Sequence, residues 1–373
     1  MSKSSQHPRI RNWPFLIFIV SYHLLLVALL PLVIGQFTWA ALTLFLVTFI
    51  VGGLSITAGY HRLFTHRAYA AHPVYEWAVL IGSTMAFQWT ALSWAHDHRL
   101  HHKHVDTDKD PYSIKKGFWY AHVLWMLSYQ QDFQERLVPD LMKNPRVMFQ
   151  HRHYLLLAVL SNLAVFGIGC LFMPPLVAFY AGVVARIFAL HHCTWSINSL
   201  AHTIGSKTYA KELSAVDNAL LSLVTFGEGY HNYHHAFQAD YRNGVRWYHF
   251  DPTKWLVWTT SKLGLTKQLK SYETVRLQKT LVMRDKELLI DQLAKMADAR
   301  AAELRDRLET LASAFEERAT IVLKELTELK QATAEQRRRL RAEIRRQQSE
   351  LRLIWKEWVS LTSMAARRYQ LEH

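Results

Sequence analysis

Three short runs of this 373-residue chain are crowded with histidine: H-R-L-F-T-H (His61, His66), H-D-H-R-L-H-H (His96, His98, His101, His102) and H-N-Y-H-H (His231, His234, His235). Each lies where an apolar segment gives way to polar sequence. Neutral imidazole is a ligand for iron, copper, zinc and nickel. Three clusters of similar inner spacing, attached to membrane-spanning sequence, point to a metal centre held at a membrane surface.

Helical geometry divides the ligands. Residues four apart share a face, whereas neighbours point about 100° apart. His98 and His102 therefore suit one metal, and His101 points elsewhere. His231 and His235 repeat the pattern, with His234 turned away. Two clusters that both split in this way fit two neighbouring metals better than one. His61 and His66, five apart, are poorly placed on a regular helix face and fit best where the second apolar segment ends and the chain turns. A zinc hydrolase needs three or four ligands and usually a catalytic Glu, as in H-E-x-x-H. Soluble di-iron carboxylate proteins use Glu-x-x-His pairs. Neither pattern is present.

The elements that must hold these clusters are apolar. Residues 13–34, 37–58, 154–173 and 176–200 each read as a membrane span, long enough for a hydrocarbon core of about 30 Å. The last carries Arg186, His191 and His192, which must face protein or a cavity; both histidines read as satisfied core residues. Lys3, Arg9 and Arg11 precede the first span without a cleavage site, so that span reads as a retained anchor with a cytoplasmic N-terminus. Four spans put both termini and all three clusters on the cytoplasmic side. Cys170 and Cys193 suggest no disulfide framework. The net charge of +14 fits cytoplasmic loops beside anionic lipid. No nucleic-acid motif accompanies it, and no nucleic-acid partner is expected.

The character changes after Gly264. Residues 265–373 hold no Gly or Pro, and apolar positions recur by threes and fours from Leu304 through Leu308, Leu311, Phe315 and Val322 to Leu351 and Ile354. This divides the chain into a membrane domain, 1–264, and a helical extension, 265–373. The extension reads as a long coiled-coil helix, roughly 120 Å if continuous from Leu277 to Trp358, or a hairpin. Its pattern suits oligomerisation, recruitment of an electron donor or binding of a regulator, and the sequence does not choose among them. Arg337, Arg338, Arg339, Arg341, Arg345 and Arg346 form a basic stretch, read either as a solvated face or as a site for anionic headgroups.

H-R-L-F-T-H, D-H-R-L-H-H and G-E-G-Y-H-N-Y-H-H resemble the three histidine boxes of the membrane fatty acyl desaturases, specifically the Δ9 acyl-CoA group. D-T-D-K-D-P-Y-S (Asp106 to Ser113) and W-S-I-N-S-L-A-H (Trp195 to His202) resemble further stretches of that family. The resemblance covers about residues 10–260. It implies an all-α bundle of four transmembrane helices with a cytoplasmic helical di-iron cap. It also implies nine histidine ligands. One Fe2+ would take His61, His66, His98, His102 and His234. The other would take His101, His202, His231 and His235, with Asn198 holding a water.

The implied reaction removes two hydrogens from a saturated acyl chain with O2 and two electrons, in the bacterial inner membrane or the endoplasmic reticulum of a eukaryote. Trp94, Asp97, Phe45 and Phe49 are expected to contact substrate, the two phenylalanines lining and limiting an acyl tunnel. There is no H-P-G-G, G-x-G-x-x-G or C-x-x-C motif, so electrons are expected from a cytochrome b5-like protein or a ferredoxin with its reductase. His96 stands where acyl-CoA members often have Arg, and Ser128-Tyr129-Gln130 where animal members are basic. The substrate is accordingly an acyl-CoA or an acyl-lipid. A histidine-rich hydroxylase or alkane monooxygenase is the rival enzyme, and a non-enzymatic membrane scaffold the rival of another class.

Overall fold

The computed structural model describes residues 12–128, 133–296 and 298–369. Lys3, Arg9, Arg11, Tyr129 and Gln130 lie outside them. The chain divides into two compact units, Met1–Ser271 and Tyr272–His373.

In the first unit Asn12 starts the helix Trp13–Val33. Its side chain accepts from Phe15 N–H at 3.3 Å, and proline stands in the first turn, where no amide partner is lost. Thr38 caps Trp39–Leu54, which runs straight into a π-helical stretch, Ser55–Thr65. Pro175–Phe179, a π turn at Tyr180–Ala185 and Arg186–Ser199 form another continuous rod. Three stretches are long and apolar enough to cross a membrane: Trp13–Gln36, Trp39–Thr65 and Pro175–His202. The segment at 154–173 differs from the sequence expectation. Tyr154–Cys170 is 17 residues, about 25 Å at 1.5 Å per residue and short of the hydrocarbon core. It reaches spanning length only with Pro145–Arg152, from which it bends by 81°. The spans number three, or four if this bent pair counts as one.

Leu24, Val27, Leu156, Leu163 and Ile168 are exposed on these rods, an arrangement suited to lipid rather than water. Arg186 and His191, the polar groups buried in the last rod, are satisfied, as such depth requires. Arg186 Nε donates to Gly182 O (2.7 Å) and Nη1 to Met85 O (2.9 Å). His191 meets Tyr22 OH at 3.0 Å and Ala86 O at 2.9 Å. Gly53 lets Phe226 lie against the second span, since a Cβ there would meet the ring at 2.0 Å.

Around the π-helical end of that span gather Pro73–Thr84, Ala91–His104, Pro145–Arg152 and Pro252–Lys262. Their shared core includes Ile56, Tyr60, Phe64, Val79, Leu80, Leu92 and Val257. Ala70–Ala71 pairs antiparallel with Thr266–Lys267. His72 N–H donates to Leu265 O (2.8 Å) and Lys270 N–H to Ala68 O (2.9 Å). Residues 265–270 therefore pack with the first unit, although their lack of Gly and Pro matches the second.

In the second unit the 120 Å helix does not form. The chain makes three helices, Thr274–Ala294, Ala299–Gln331 and Ala334–Tyr369. Asp298 caps the second by accepting from Arg300 N–H at 3.1 Å, and Gln336 accepts from Thr333 N–H at 3.0 Å at the start of the third. Capping makes these breaks without Gly or Pro. The second and third helices run antiparallel: Arg307 meets Glu357, Phe315 meets Trp355 and Asp298 meets Tyr369. Leu308, Phe315, Val322, Leu351 and Trp358 fill the core.

A chain ending after Ser271 should keep the thermal unfolding midpoint of the first unit. One ending after Gly264 loses at least the bonds made by Leu265 and Lys270, about 1 kcal/mol each, and its midpoint in scanning fluorimetry should fall by several degrees. Equal midpoints would contradict this boundary.

Candidate metal centre

His61 and His66 meet because their helix is not α-helical. Five residues of α-helix would leave them about 140° apart. In the π register His66 N–H donates to His61 O at 3.1 Å, one turn closes every five residues, and the two rings come within 4.7 Å. Thr90 caps Ala91–His104 by accepting from Ser93 N–H at 3.1 Å. That regular α-helix brings His98 Nε2 and His102 Nε2 to 3.1 Å. The short helix His231–Ala236 does the same for His231 and His235, also at 3.1 Å. His202 closes the turn Leu200–His202 after the last membrane rod.

Nine imidazoles converge in two groups. His61, His66, His98, His102 and His234 form one; His101, His202, His231 and His235 form the other; within each group the ligand atoms lie within 4.8 Å of one another. His101 and His234 each leave their own run's pair for the opposite group.

The nitrogen contacts cannot be ordinary hydrogen bonds. His61 Nδ1 lies 2.8 Å from Glu228 Oε2, which puts its proton on Nδ1 and leaves Nε2 a lone pair. His61 Nε2 stands 3.0 Å from His234 Nε2, which stands 3.0 Å from His102 Nε2, which stands 3.1 Å from His98 Nε2. One proton per ring cannot give each of these contacts its own hydrogen. The second group repeats the problem. His101 Nδ1 donates to Asp110 Oδ1 (2.9 Å), and its Nε2 faces His235 Nε2 at 3.3 Å, which faces His231 Nε2 at 3.1 Å. His66 Nε2 and His202 Nε2 are buried without a hydrogen-bond partner.

A cation at the centre of each group resolves this. At a metal–nitrogen distance of roughly 2.1 Å, cis ligands at 90° stand about 3.0 Å apart and tetrahedral ones about 3.4 Å. The first group's 3.0, 3.0 and 3.1 Å match the cis spacing. A further histidine chain is the control. Ser199 Oγ donates to His122 Nδ1 (2.9 Å), His122 Nε2 to His192 Nδ1 (3.2 Å), His192 Nε2 to His23 Nε2 (3.0 Å), and His23 Nδ1 to Ile19 O (2.8 Å). Three neutral rings satisfy that chain completely, with no metal required.

Electrostatics prepare the ligands. Burial, reinforced by neighbouring imidazoles and, for His66, by Arg99 and Arg62, pushes His66, His98, His102, His231, His234 and His235 well below the usual histidine range. Their lone pairs are free at neutral pH. Burial pushes Glu228 up, but Arg62 and His61 outweigh it and hold the carboxylate below its ordinary range. Arg62 fixes Glu228 Oε1 at 2.8 Å and Asp251 at 3.0 Å.

Sequence reasoning gave no role to the groups that aim these rings. Glu228 orients His61, Tyr112 OH meets His98 Nδ1 at 2.8 Å, and Asp110 holds His101. Ser214 Oγ joins His202 Nδ1 (2.6 Å) to Asp106 Oδ1 (2.5 Å). The signal was present in part: Asp106, Asp110 and Tyr112 lie in D-T-D-K-D-P-Y-S, and Glu228 lies in G-E-G-Y.

Two cavities adjoin the histidines. Gly53, Ile56, Thr57, Leu190, Val224 and Phe226 line one, together with His61, His98 and Glu228. Phe15, Trp89, Asp97, Tyr112, Trp125 and Met126 line the other. Trp94, Thr194 and Asn198 border both. Phe45 and Phe49 line neither; they stack at 5.8 Å, and Phe49 packs on Phe226 at 5.4 Å. His96 donates to Asp97 (2.9 Å) and accepts from Gln134 N–H (2.9 Å).

A profile of the fatty acid desaturases matches residues 37–267. The chain is 43% identical over 288 residues to a probable acyl-CoA desaturase of Schizosaccharomyces pombe, covering 74% of this chain and 59% of that one. It is 39% identical over 253 residues to acyl-CoA desaturase 1 of Saccharomyces cerevisiae, covering 66% and 49%. It is 33% identical over 270 residues to the sn-1 stearoyl-lipid 9-desaturase of Anabaena variabilis, covering 72% and 96%. The chain thus spans about half the length of the yeast proteins and nearly all of the cyanobacterial one. A membrane bundle that ends in nine converging imidazoles, and a match running through all three histidine runs, place this chain in the fatty acid desaturase family.

Proposed function

We propose that this chain is an O2-dependent di-iron acyl desaturase that introduces a cis double bond at Δ9 of a saturated long-chain acyl-CoA or acyl-lipid. The observation that carries the reading is the pair of imidazole groups, five and four strong, with one cavity against His61 and His98 and a second that shares Trp94, Thr194 and Asn198 with it. His61, His66, His98, His102 and His234 would hold one iron. His101, His202, His231 and His235 would hold the other, with Asn198 placing a water. Nitrogen-rich sites of more than four ligands suit iron better than structural zinc. When bound, the irons supply O2 activation: two electrons from a donor, two protons from solvent and one hydrogen from each of two adjacent methylenes convert O2 to two waters.

The chain's own residues supply position. The acyl tail would occupy the cavity of Gly53, Ile56, Thr57 and Leu190, and the carboxyl-proximal half the cavity of Phe15, Trp89 and Trp125. The two meet at Trp94, whose ring lies 4.9 Å from His98 and 5.9 Å from His61. A substrate threaded through both passes the imidazoles at that junction, with one methylene pair presented and water excluded. Asp97, beside the second cavity, would contact the polar end of the substrate. Phe49, stacked behind Phe226, would stop the methyl end, with Phe45 behind it.

Basic residues before the first span favour a cytoplasmic N-terminus, and with the bent pair counted as a fourth span both termini and the site would lie on that side. The electron donor would be a separate cytochrome b5-like protein, or a ferredoxin with its reductase. The helices after residue 271 bury the stripe of Leu304, Leu308, Phe315 and Leu351 among themselves, so dimerisation, recruitment of the donor or binding of a regulator would use their outer faces.

Fatty-acid profiling with double-bond localisation, in a host lacking its own desaturase, tests the reading. Wild type should yield a Δ9 monoene and His101→Ala none; hydroxylated chains instead would favour a monooxygenase. Glu228→Gln should weaken iron binding by about 10- to 100-fold through a misaimed His61, measured by titration with Fe2+ under argon; unchanged affinity would remove its orienting role. Phe49→Ala should move the product profile toward longer chains, and an unchanged profile would count against a tunnel end there.

A further inference from the structure

The third helix of the second unit segregates its charge. At 100° per residue, Arg337, Arg338, Arg341, Arg345, Arg352 and Lys356 fall within one sector roughly 100° wide, and all six are exposed. The helix has four acidic residues, Glu335, Glu343, Glu350 and Glu357, and none lies in that sector. Three of them are engaged on the opposite flank: Glu343 with Arg346 at 2.5 Å, Glu357 with Arg307 at 3.7 Å, and Glu350 with Arg318. Among the described residues no carboxylate forms an ion pair with the six cations. The buried stripe of Ile344, Leu351, Trp358 and Ala365 occupies the remaining side. The helix thus has a packed face, an ion-paired flank and a cationic ridge free of carboxylates, about 29 Å long from Arg337 to Lys356.

We propose that this ridge binds the anionic headgroups of a phospholipid bilayer. Like charges so concentrated repel, and nothing in the fold requires them to be together; an anionic surface relieves that repulsion. The ridge is the convex edge of one helix. Among the described residues it carries no fully exposed aromatic anchor of the kind that dominates protein interfaces, whereas a headgroup layer needs only charge. The unit is covalently continuous with a membrane-spanning one, which keeps lipid at high effective concentration. The inference rests on the membrane character of the chain and not on the reaction proposed above.

The test is arginine footprinting of the full chain with p-hydroxyphenylglyoxal and mass spectrometry, in nanodiscs of phosphatidylcholine alone or with phosphatidylglycerol. Arg337, Arg341, Arg345 and Arg352 should be modified several-fold more slowly in the anionic discs. The difference should vanish at high salt, since the Debye length falls to about 3 Å at 1 M. Each cation near such a surface strengthens binding roughly fivefold. Full chain in neutral nanodiscs should therefore sediment with phosphatidylglycerol vesicles about a hundredfold or more tightly than the variant carrying Gln at those four positions. The substituted side chains are exposed and make no ion pair, so that variant should fold. Equal modification in both discs, or equal sedimentation of the two chains, would overturn the proposal. Protection by an added acidic protein but not by lipid would also overturn it, in favour of a protein partner.

Discussion

The structure depends on a crowding that bare imidazoles do not tolerate. Nine rings bring their nitrogens together at contact distances, and the protons available cannot bridge them. Lone pairs facing one another at 3.0 Å repel unless a cation sits between. Burial adds to the problem by making protonation costly, which keeps His66, His98, His102, His231, His234 and His235 neutral. Folding therefore assembles an electron-rich hollow that a metal would complete. The carboxylates outside the rings have two effects: they favour the proton on the nitrogen that faces them, and they bring negative charge to a centre that would hold dications.

This constraint explains the irregular backbone. Three runs of sequence must deliver ligands from different directions to two points only a few ångströms apart. An α-helix serves where the spacing is four, as at His98 and His102. Where it is five, the chain winds as a π-helix, and His66 is placed under His61 by the i to i+5 register. The membrane rods below hold these ends rigidly, and Arg62, buried between Glu228 and Asp251, ties the second span to the loop that carries the third histidine run. The same walls leave a largely apolar space beside His61 and His98, which is what acting on a hydrocarbon chain with no polar handle would require.

Much of the site could be read from the sequence because α-helical periodicity is a strong rule. It separated His101 from His98 and His102, and His234 from His231 and His235, from spacing alone. It failed at His61 and His66, since no propensity announces a π register. His202 and Asn198 came only from family resemblance; nothing in their spacing links them to the runs. Glu228 was missed as an orienting group because its contact with His61 spans 167 residues and leaves no local pattern; Asp110 and Ser214 stand 9 and 12 residues from His101 and His202, spacings that match no helix or strand period. In the fold, apolar length found the membrane rods but overstated the rod at residue 154, where the chain turns sharply after Arg152. The extension, without Gly or Pro, read equally as one long helix or as a hairpin; capping at Asp298 and Gln336 breaks it, and the last two helices fold back on one another. Periodicity finds which face is apolar; it does not tell a helix that continues from one that folds back on itself.

The central claim is that the two imidazole groups are two separate iron sites, and metal counting tests it most directly. Protein purified under argon and loaded with Fe2+ should carry two irons per chain by elemental analysis. His66→Ala and His202→Ala should each retain about one, because their ligand sets are disjoint. A single iron in wild type, or the loss of both from either variant, would contradict the account.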